Sequence, residues 1–153
     1  MNSKFDDFFS EVNDYKPINF HKDRLNNIVK SLNEKRNITN TIVFICTHNS
    51  RRSQLCQVWG SVFSKIYGTD LIFYSAGSKK TDVNQNVMSC LSDIGIKVRD
   101  NKILFEDLSI SLYSKTLDEI SAKKFIAIMT CSDAEKSCPS DPNGRYFTCI
   151  NRT

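Results

Sequence analysis

Long apolar runs are missing from this chain of 153 residues, and none approaches the ~18 residues of a membrane-spanning helix. The N-terminal stretch Met1-Asn2-Ser3-Lys4-Phe5-Asp6-Asp7 carries acids and lacks the apolar centre of a secretory signal. Histidine is scarce: His21 and His48 stand far apart, which argues against a histidine-based metal site, and no metal or cofactor is expected. A strong charge of one sign is also absent. The net charge is +4, and lysine and arginine are scattered apart from short pairs such as Lys79-Lys80 and Lys123-Lys124. Such pairs read as solvated surface, so neither nucleic acid nor membrane is an expected partner. There is no internal repeat, low-complexity tract or linker. A cytoplasmic location is the expectation. The six cysteines are then expected to be reduced, and a cysteine pair points to catalysis or metal binding before a structural disulfide.

Charged residues make up 25% and apolar residues 40%, a mix that supports a folded core. Phe5, Phe8, Phe9 and Val12 form a stripe at helical spacing that Pro17 ends. Leu25, Ile28, Val29 and Leu32 mark one face of a second helix. Residues 1–39 thus read as an N-terminal helical arm and 40–153 as the main domain. There, Thr41 to Ile45 and Phe125 to Met129 are short apolar runs of the kind that fill a central parallel strand. Leu55, Trp59, Val62, Phe63 and Ile66 predict a helix over 53–67 closed by Gly68, and a strand follows at Leu71 to Ser75. Val83, Val87, Leu91 and Ile94 predict another helix, closed by Gly95. Ile96 to Val98 reads as a short strand, 102–113 as a hairpin or irregular extended stretch, Thr116 to Ala122 as a short helix, and Tyr146 to Ile150 as a final strand. Strands alternating with helices imply an α/β fold, a three-layer sandwich around a mostly parallel sheet.

The chemistry concentrates at Ile42-Val43-Phe44-Ile45-Cys46-Thr47-His48-Asn49-Ser50-Arg51-Arg52-Ser53. A buried strand ends at a cysteine, a polar loop follows, and a helix begins at once. A Cys-x5-Arg spacing taken alone is a weak signal. In this context, amides of the loop and the positive end of the helix would gather around an oxyanion. Thr47, His48, Asn49, Ser50, Arg51, Arg52 and Ser53 are the oxyanion-binding candidates, with Arg52 supplying a bidentate fork. The same groups favour a thiolate at Cys46, to which Ser53 can donate. Asn49 tolerates the left-handed backbone that a sharp bend needs.

The loop Cys46-Thr47-His48-Asn49-Ser50-Arg51-Arg52-Ser53 resembles the phosphate-binding loop of the low-molecular-weight protein tyrosine phosphatases and the thioredoxin-coupled arsenate reductases, which share one fold. Ser75-Ala76-Gly77 resembles the end of that family's second strand. The resemblance spans roughly 40–150 and leaves the arm outside the common core. His48 replaces a usual glycine and Arg51 a usual second cysteine, neither of them a catalytic group. Cys131-Ser132-Asp133-Ala134-Glu135-Lys136-Ser137-Cys138-Pro139 resembles the redox segment of the reductases, which the phosphatases lack.

The resemblance implies that Cys46 attacks arsenate, that Cys131 displaces arsenite to leave a Cys46–Cys131 disulfide, and that Cys138 passes the disulfide on to thioredoxin. A continuous helix over 131–138 would hold its two Cα atoms roughly 10 Å apart, against less than ~7 Å for a disulfide. Oxidation is therefore expected to unwind that segment. Cys56 and Cys90, on helices, are expected in the core.

The pattern breaks at the general acid. The family carries an Asp-Pro about sixteen residues past the second redox cysteine by motif spacing, which counts to the end of this chain. Asp141-Pro142 comes too early and reads as a turn. A short C-terminus, a missing acid and a sheet face covered by the arm or a partner are the resulting expectations. The resemblance thus implies an arsenate reductase served by thioredoxin. The alternatives are a tyrosine phosphatase acting on a phosphotyrosine protein through Cys46, and a non-catalytic module that binds arsenate or phosphate.

Overall fold

The computed structural model describes residues 3–137 and 146–149, with side chains through Lys136. In chain order its elements are α1 (Ser3–Asp14), α2 (Asn19–Lys35), β1 (Thr41–Cys46), α3 (Arg52–Tyr67), β2 (Ile72–Gly77), α4 (Gln85–Asp93), β3 (Lys97–Arg99), β4 (Lys102–Phe105), β5 (Leu108–Ser111), a 3-10 turn (Leu117–Glu119), β6 (Phe125–Met129), α5 (Ser132–Ser137) and β7 (Tyr146–Cys149).

β1 and β6 are the apolar runs, and they become the two inner strands of a four-stranded parallel sheet ordered β2-β1-β6-β7. Strand alternation splits β1 between two faces. Ile42 and Phe44 turn toward Ile28 and Leu32 of α2 and Phe73 of β2. Val43 and Ile45 turn toward Leu117, Ile120 and Ala134 on the opposite side. With α3 lying over β2 and β1, the result is a three-layer α/β sandwich. Gly60 of α3 permits the close approach, because a Cβ there would lie 2.6 Å from the Phe73 ring.

α3 is also the floor of a second core. Val58 and Val62 meet Phe5 of α1, Val87 and Leu91 of α4, and Ile103, Phe105 and Ile110 of the meander. Phe5 is 2% exposed and its ring centroid lies 4.9 Å from that of Phe105, so α1 supplies a core residue. Gly68 adopts φ 62° at the end of α3, the left-handed cap expected from its position. Asn84 caps α4 by accepting the Asn86 amide at 2.9 Å.

The expected short strand and the expected hairpin both form, as β3 and the β4-β5 pair, and they join into one three-stranded antiparallel sheet, β3-β4-β5. Its tight turns use the left-handed residues Asp100, Asn101 and Glu106, and Glu106 is no standard turn signal. The structure departs from the sequence expectations at three other places. The expected helix at 116–122 shortens to a single 3-10 turn closed by a capping box between Thr116 and Glu119. On α2 only half of the expected apolar face is used, since Leu25 and Val29 remain 52% exposed. Cys90 is exposed on α4, where Val87, Met88 and Leu91 take the buried face. Among the described residues no helix is long and apolar enough to cross a membrane.

Candidate active site

Cys46 lies at the carboxyl end of β1, 3% exposed, and the next residues turn directly into α3. The turn is built around Asn49, which is fully buried at φ 48°. Its side chain works on both sides. Asn49 Oδ1 accepts the Lys115 amide and Gln54 Nε2, each at 2.9 Å. Asn49 Nδ2 donates to Ser53 Oγ at 2.8 Å. Ser53 Oγ sits 3.0 Å from Cys46 Sγ. Because the asparagine occupies an Oγ lone pair, the serine proton is free to point at sulfur, the direction that stabilises a thiolate.

The carbonyls of the loop are anchored outward one after another. Thr47 O accepts the Lys79 amide at 2.8 Å and Ser78 Oγ at 3.2 Å. His48 O accepts Thr81 Oγ1 at 2.9 Å and Ser114 Oγ at 3.0 Å. Asn49 O accepts Gln54 Nε2 at 2.9 Å, and Ser50 O accepts the Asn84 amide at 3.0 Å. In a trans peptide the N–H opposes the C=O, and the described chain has no cis bond. Tying these carbonyls to surrounding segments therefore turns the following amides away from them, toward the loop's interior. α3 adds its N-terminal amides and dipole. Arg51 and Arg52, both exposed, stand at that helix start.

This places the loop candidates individually. Cys46, Asn49 and Ser53 form one connected group. Arg52 begins α3, while His48 is exposed with its carbonyl bound to the outer segments. The Ser50 hydroxyl donates outward to Asp82 O at 2.7 Å. The Thr47 hydroxyl lies 3.7 Å from Cys131 Sγ, so the fold brings that residue from beyond β6 to the rim of the loop. Burial acts to raise the Cys131 thiol's pKa. The Ala134 amide, the Thr47 hydroxyl and amide and the charge of Arg52 outweigh it and hold the thiol below its ordinary value. Cys56 behaves oppositely, pushed up to about 11 by burial and by its neighbour Cys46. Cys138 and Asp141-Pro142 lie outside the described residues.

Several supports were not anticipated from the sequence. Gln54 and Ser114 brace the loop through side chains that carry no motif. Gly77 matters by what it lacks, since a Cβ there would stand 2.7 Å from Lys79 O, 2.8 Å from Asn49 N and 2.9 Å from Thr47 O. The Ser75-Ala76-Gly77 sequence was the one signal available for it. Among the described residues no group of three or more His, Cys, Asp or Glu side chains is gathered as metal ligands.

No protein-family model matches the chain. It is 33% identical over 102 residues to arsenate reductase 2 of Staphylococcus epidermidis, covering 67% of this chain and 68% of that protein. It is 32% identical over 103 residues to the arsenate reductase of Brevibacillus brevis, covering 67% of this chain and 66% of that protein. Among solved structures, a YwlE mutant from Bacillus subtilis aligns with a TM-score of 0.50 at 19% identity, over 71% of this chain and 70% of that one, a likeness of fold.

Proposed function

The chain belongs to the arsenate reductase family, and from that premise we propose that it reduces arsenate to arsenite by a thiol cascade that begins at Cys46. The observation that carries this reading is the approach of Cys131 Sγ to Thr47 Oγ1 at 3.7 Å, which sets a second, thiolate-prone sulfur beside the anion loop.

Arsenate enters the loop as an anion held by the inward amides and Arg52. The Cys46 thiolate attacks arsenic, an As–S bond forms, and an oxygen leaves as water once protonated. Ser53 holds the thiolate until attack. The Cys131 thiolate then attacks Cys46 Sγ. A Cys46–Cys131 bond forms, the As–S electron pair passes to arsenic, and As(V) leaves as As(III) in arsenite. Cys138 next attacks Cys131 Sγ, freeing Cys46 as a thiolate and leaving a Cys131–Cys138 disulfide. A dithiol reductant of the thioredoxin class returns both to thiols and restores the enzyme.

The test is arsenite release coupled to thioredoxin, its reductase and NADPH. Wild type is expected to turn over continuously. Cys131→Ser is expected to bind arsenate without sustained arsenite release, and continued turnover by that variant would overturn the cascade. A second reading draws on the Cys46–Ser53–Asn49 group, which is complete without Cys131: hydrolysis of phosphotyrosine through a Cys46 phosphoenzyme. An aryl-phosphate assay on the same preparations tests it. Phosphate binding with neither activity would leave only an oxyanion-binding module.

A further inference from the structure

On the far side of α3 from α1, two strand edges face each other. β2 is an outer strand of the parallel sheet and β5 an outer strand of the antiparallel one. They form opposite walls of one groove of about 470 Å3, with Phe73 and Tyr74 on one side, Ser109 and Ser111 on the other, and Gln57 and Ser61 of α3 beneath.

Both edges carry unused ladder positions. The Ile72 amide bonds inward to Asn40 O at 3.0 Å, so strand alternation turns the main chain of Phe73 outward. The Leu112 amide bonds to Asn101 O at 2.8 Å, which makes Ile110 the β4-facing residue and turns the main chain of Ser109 and Ser111 away from β4. Among the described residues no segment hydrogen-bonds to these outward groups.

The groove is closed at one end by the chain itself. β5 leads through Tyr113 and Lys115 to Thr116, which pairs in parallel with Gly77 at the end of β2. Both strands therefore run toward the closed end. Lys115 waits there, 2% exposed, its ammonium 3.2 Å from Tyr113 O, 3.5 Å from Ser75 Oγ and 4.2 Å from the Tyr113 ring. Among the described residues no carboxylate pairs with it. Glu119 acts on it from a distance but is engaged by Lys80 at 2.8 Å. Burial lowers the Lys115 pKa to about 8, which leaves the ammonium largely charged at neutral pH. At the open end Lys65 and Asp107 pair at 2.6 Å, so no free charge competes there.

We propose that this groove docks an extended segment of a partner protein, which adds as a strand between β2 and β5, parallel to both, and seats a carboxylate at its C-terminal end on Lys115. A bare anion would use Lys115 but neither ladder edge. A strand uses all three features: about four residues at ~3.3 Å each span the distance from Leu71 to Ser75. It would also cover two edges that otherwise stay open.

The experiment is fluorescence anisotropy on the full chain with a fluorescein-labelled pentapeptide of alternating threonine and valine ending in aspartate. Saturable binding is expected. It should weaken about tenfold or more when the end is changed to amidated asparagine, when alternate amides are N-methylated in either of the two phases (one set faces β2, the other β5), and in the Lys115→Met variant. Unsaturable binding, indifference to N-methylation, or displacement by acetate as effective as by unlabelled peptide would overturn the proposal. The peptide series on wild type decides the matter even if Lys115→Met fails to fold.

Discussion

The loop at 46–53 and the segment at 131–137 meet where Thr47 approaches Cys131, and they are held in opposite ways. Four successive loop carbonyls are anchored, Asn49 is buried with both ends of its amide engaged, and Ser53 is tied to the nucleophile. The second segment hangs from the end of β6. Thr130 bonds to Ile45 O through its amide at 2.8 Å and its hydroxyl at 2.9 Å, Ala134 is buried, and Cys131 Sγ accepts the Ala134 amide at 3.4 Å. Ser132, Asp133 and Lys136 of the six-residue α5 are exposed. The contrast suits the proposed division of labour. A group that binds an oxyanion gains from being fixed before the anion arrives, because the reorganisation cost is then already met. A sulfur that must first attack one partner and then be attacked by another gains from a mooring weak enough to leave.

Experiments can break this comparison, and the largest effect is expected at the nucleophile. Cys46→Ser should abolish both arsenate reduction and any aryl-phosphate hydrolysis in the coupled and colorimetric assays, a loss of at least ~10³-fold because a serine hydroxyl stays protonated where the thiol ionises. Residual activity of either kind would place the chemistry elsewhere. Next comes Arg52→Lys, which keeps the charge and removes the fork. It should cost about 10²–10³-fold in kcat/KM toward arsenate, and a change below tenfold would remove Arg52 from the anion site. Gly77→Ala presses a methyl against Lys79 O and against the loop's own main chain at Asn49 N and Thr47 O. It should cost about 1–3 kcal/mol in urea unfolding and weaken phosphate binding, while leaving the alkylation rate of Cys131 near its wild-type value. If Cys131 reactivity fell in step, the two regions would be one rigid unit and the contrast would fail.

The smallest effect concerns pH. Cys131 is held below its ordinary pKa and Cys56 is raised to about 11, so iodoacetamide at pH 8 should modify Cys131 well before Cys56. The sign follows from thiolate fraction: the Cys131 rate should rise and level off at a lower pH than that of a free thiol, whereas the Cys56 rate should still be climbing at pH 10. Mass spectrometry of timed digests reads both, and the reverse order would contradict the assigned environments.

The loop was legible in the sequence because all its parts are contiguous. A strand, a bend and a helix N-terminus follow one another within 41–67, and local rules of strand composition, left-handed asparagine and helix periodicity cover them. Gly68 was legible for the same reason. The meander at 97–111 was legible in part: its strands show in the alternation and its first turn in Asp100-Asn101, whereas the second turn places Glu106, a residue that carries no turn signature, at φ 52°. The fates of Leu25, Val29 and Cys90 were not legible. A helical stripe says which residues share a face, and only the neighbouring elements say how wide a face they cover.

The sequence by itself determined a cysteine at the end of a buried strand, a polar turn after it that leads straight into a helix, and an alternation of strands and helices that demands a layered sheet. Tertiary structure alone decided what that turn rests on. Asn49 meets Lys115 across 66 residues and Thr47 meets Cys131 across 84. Such contacts depend on the order β2-β1-β6-β7, which sets the ends of β1, β2 and β6 side by side. Spacing along a chain carries no information about which distant strand ends will become neighbours; the pairing of strands supplies it.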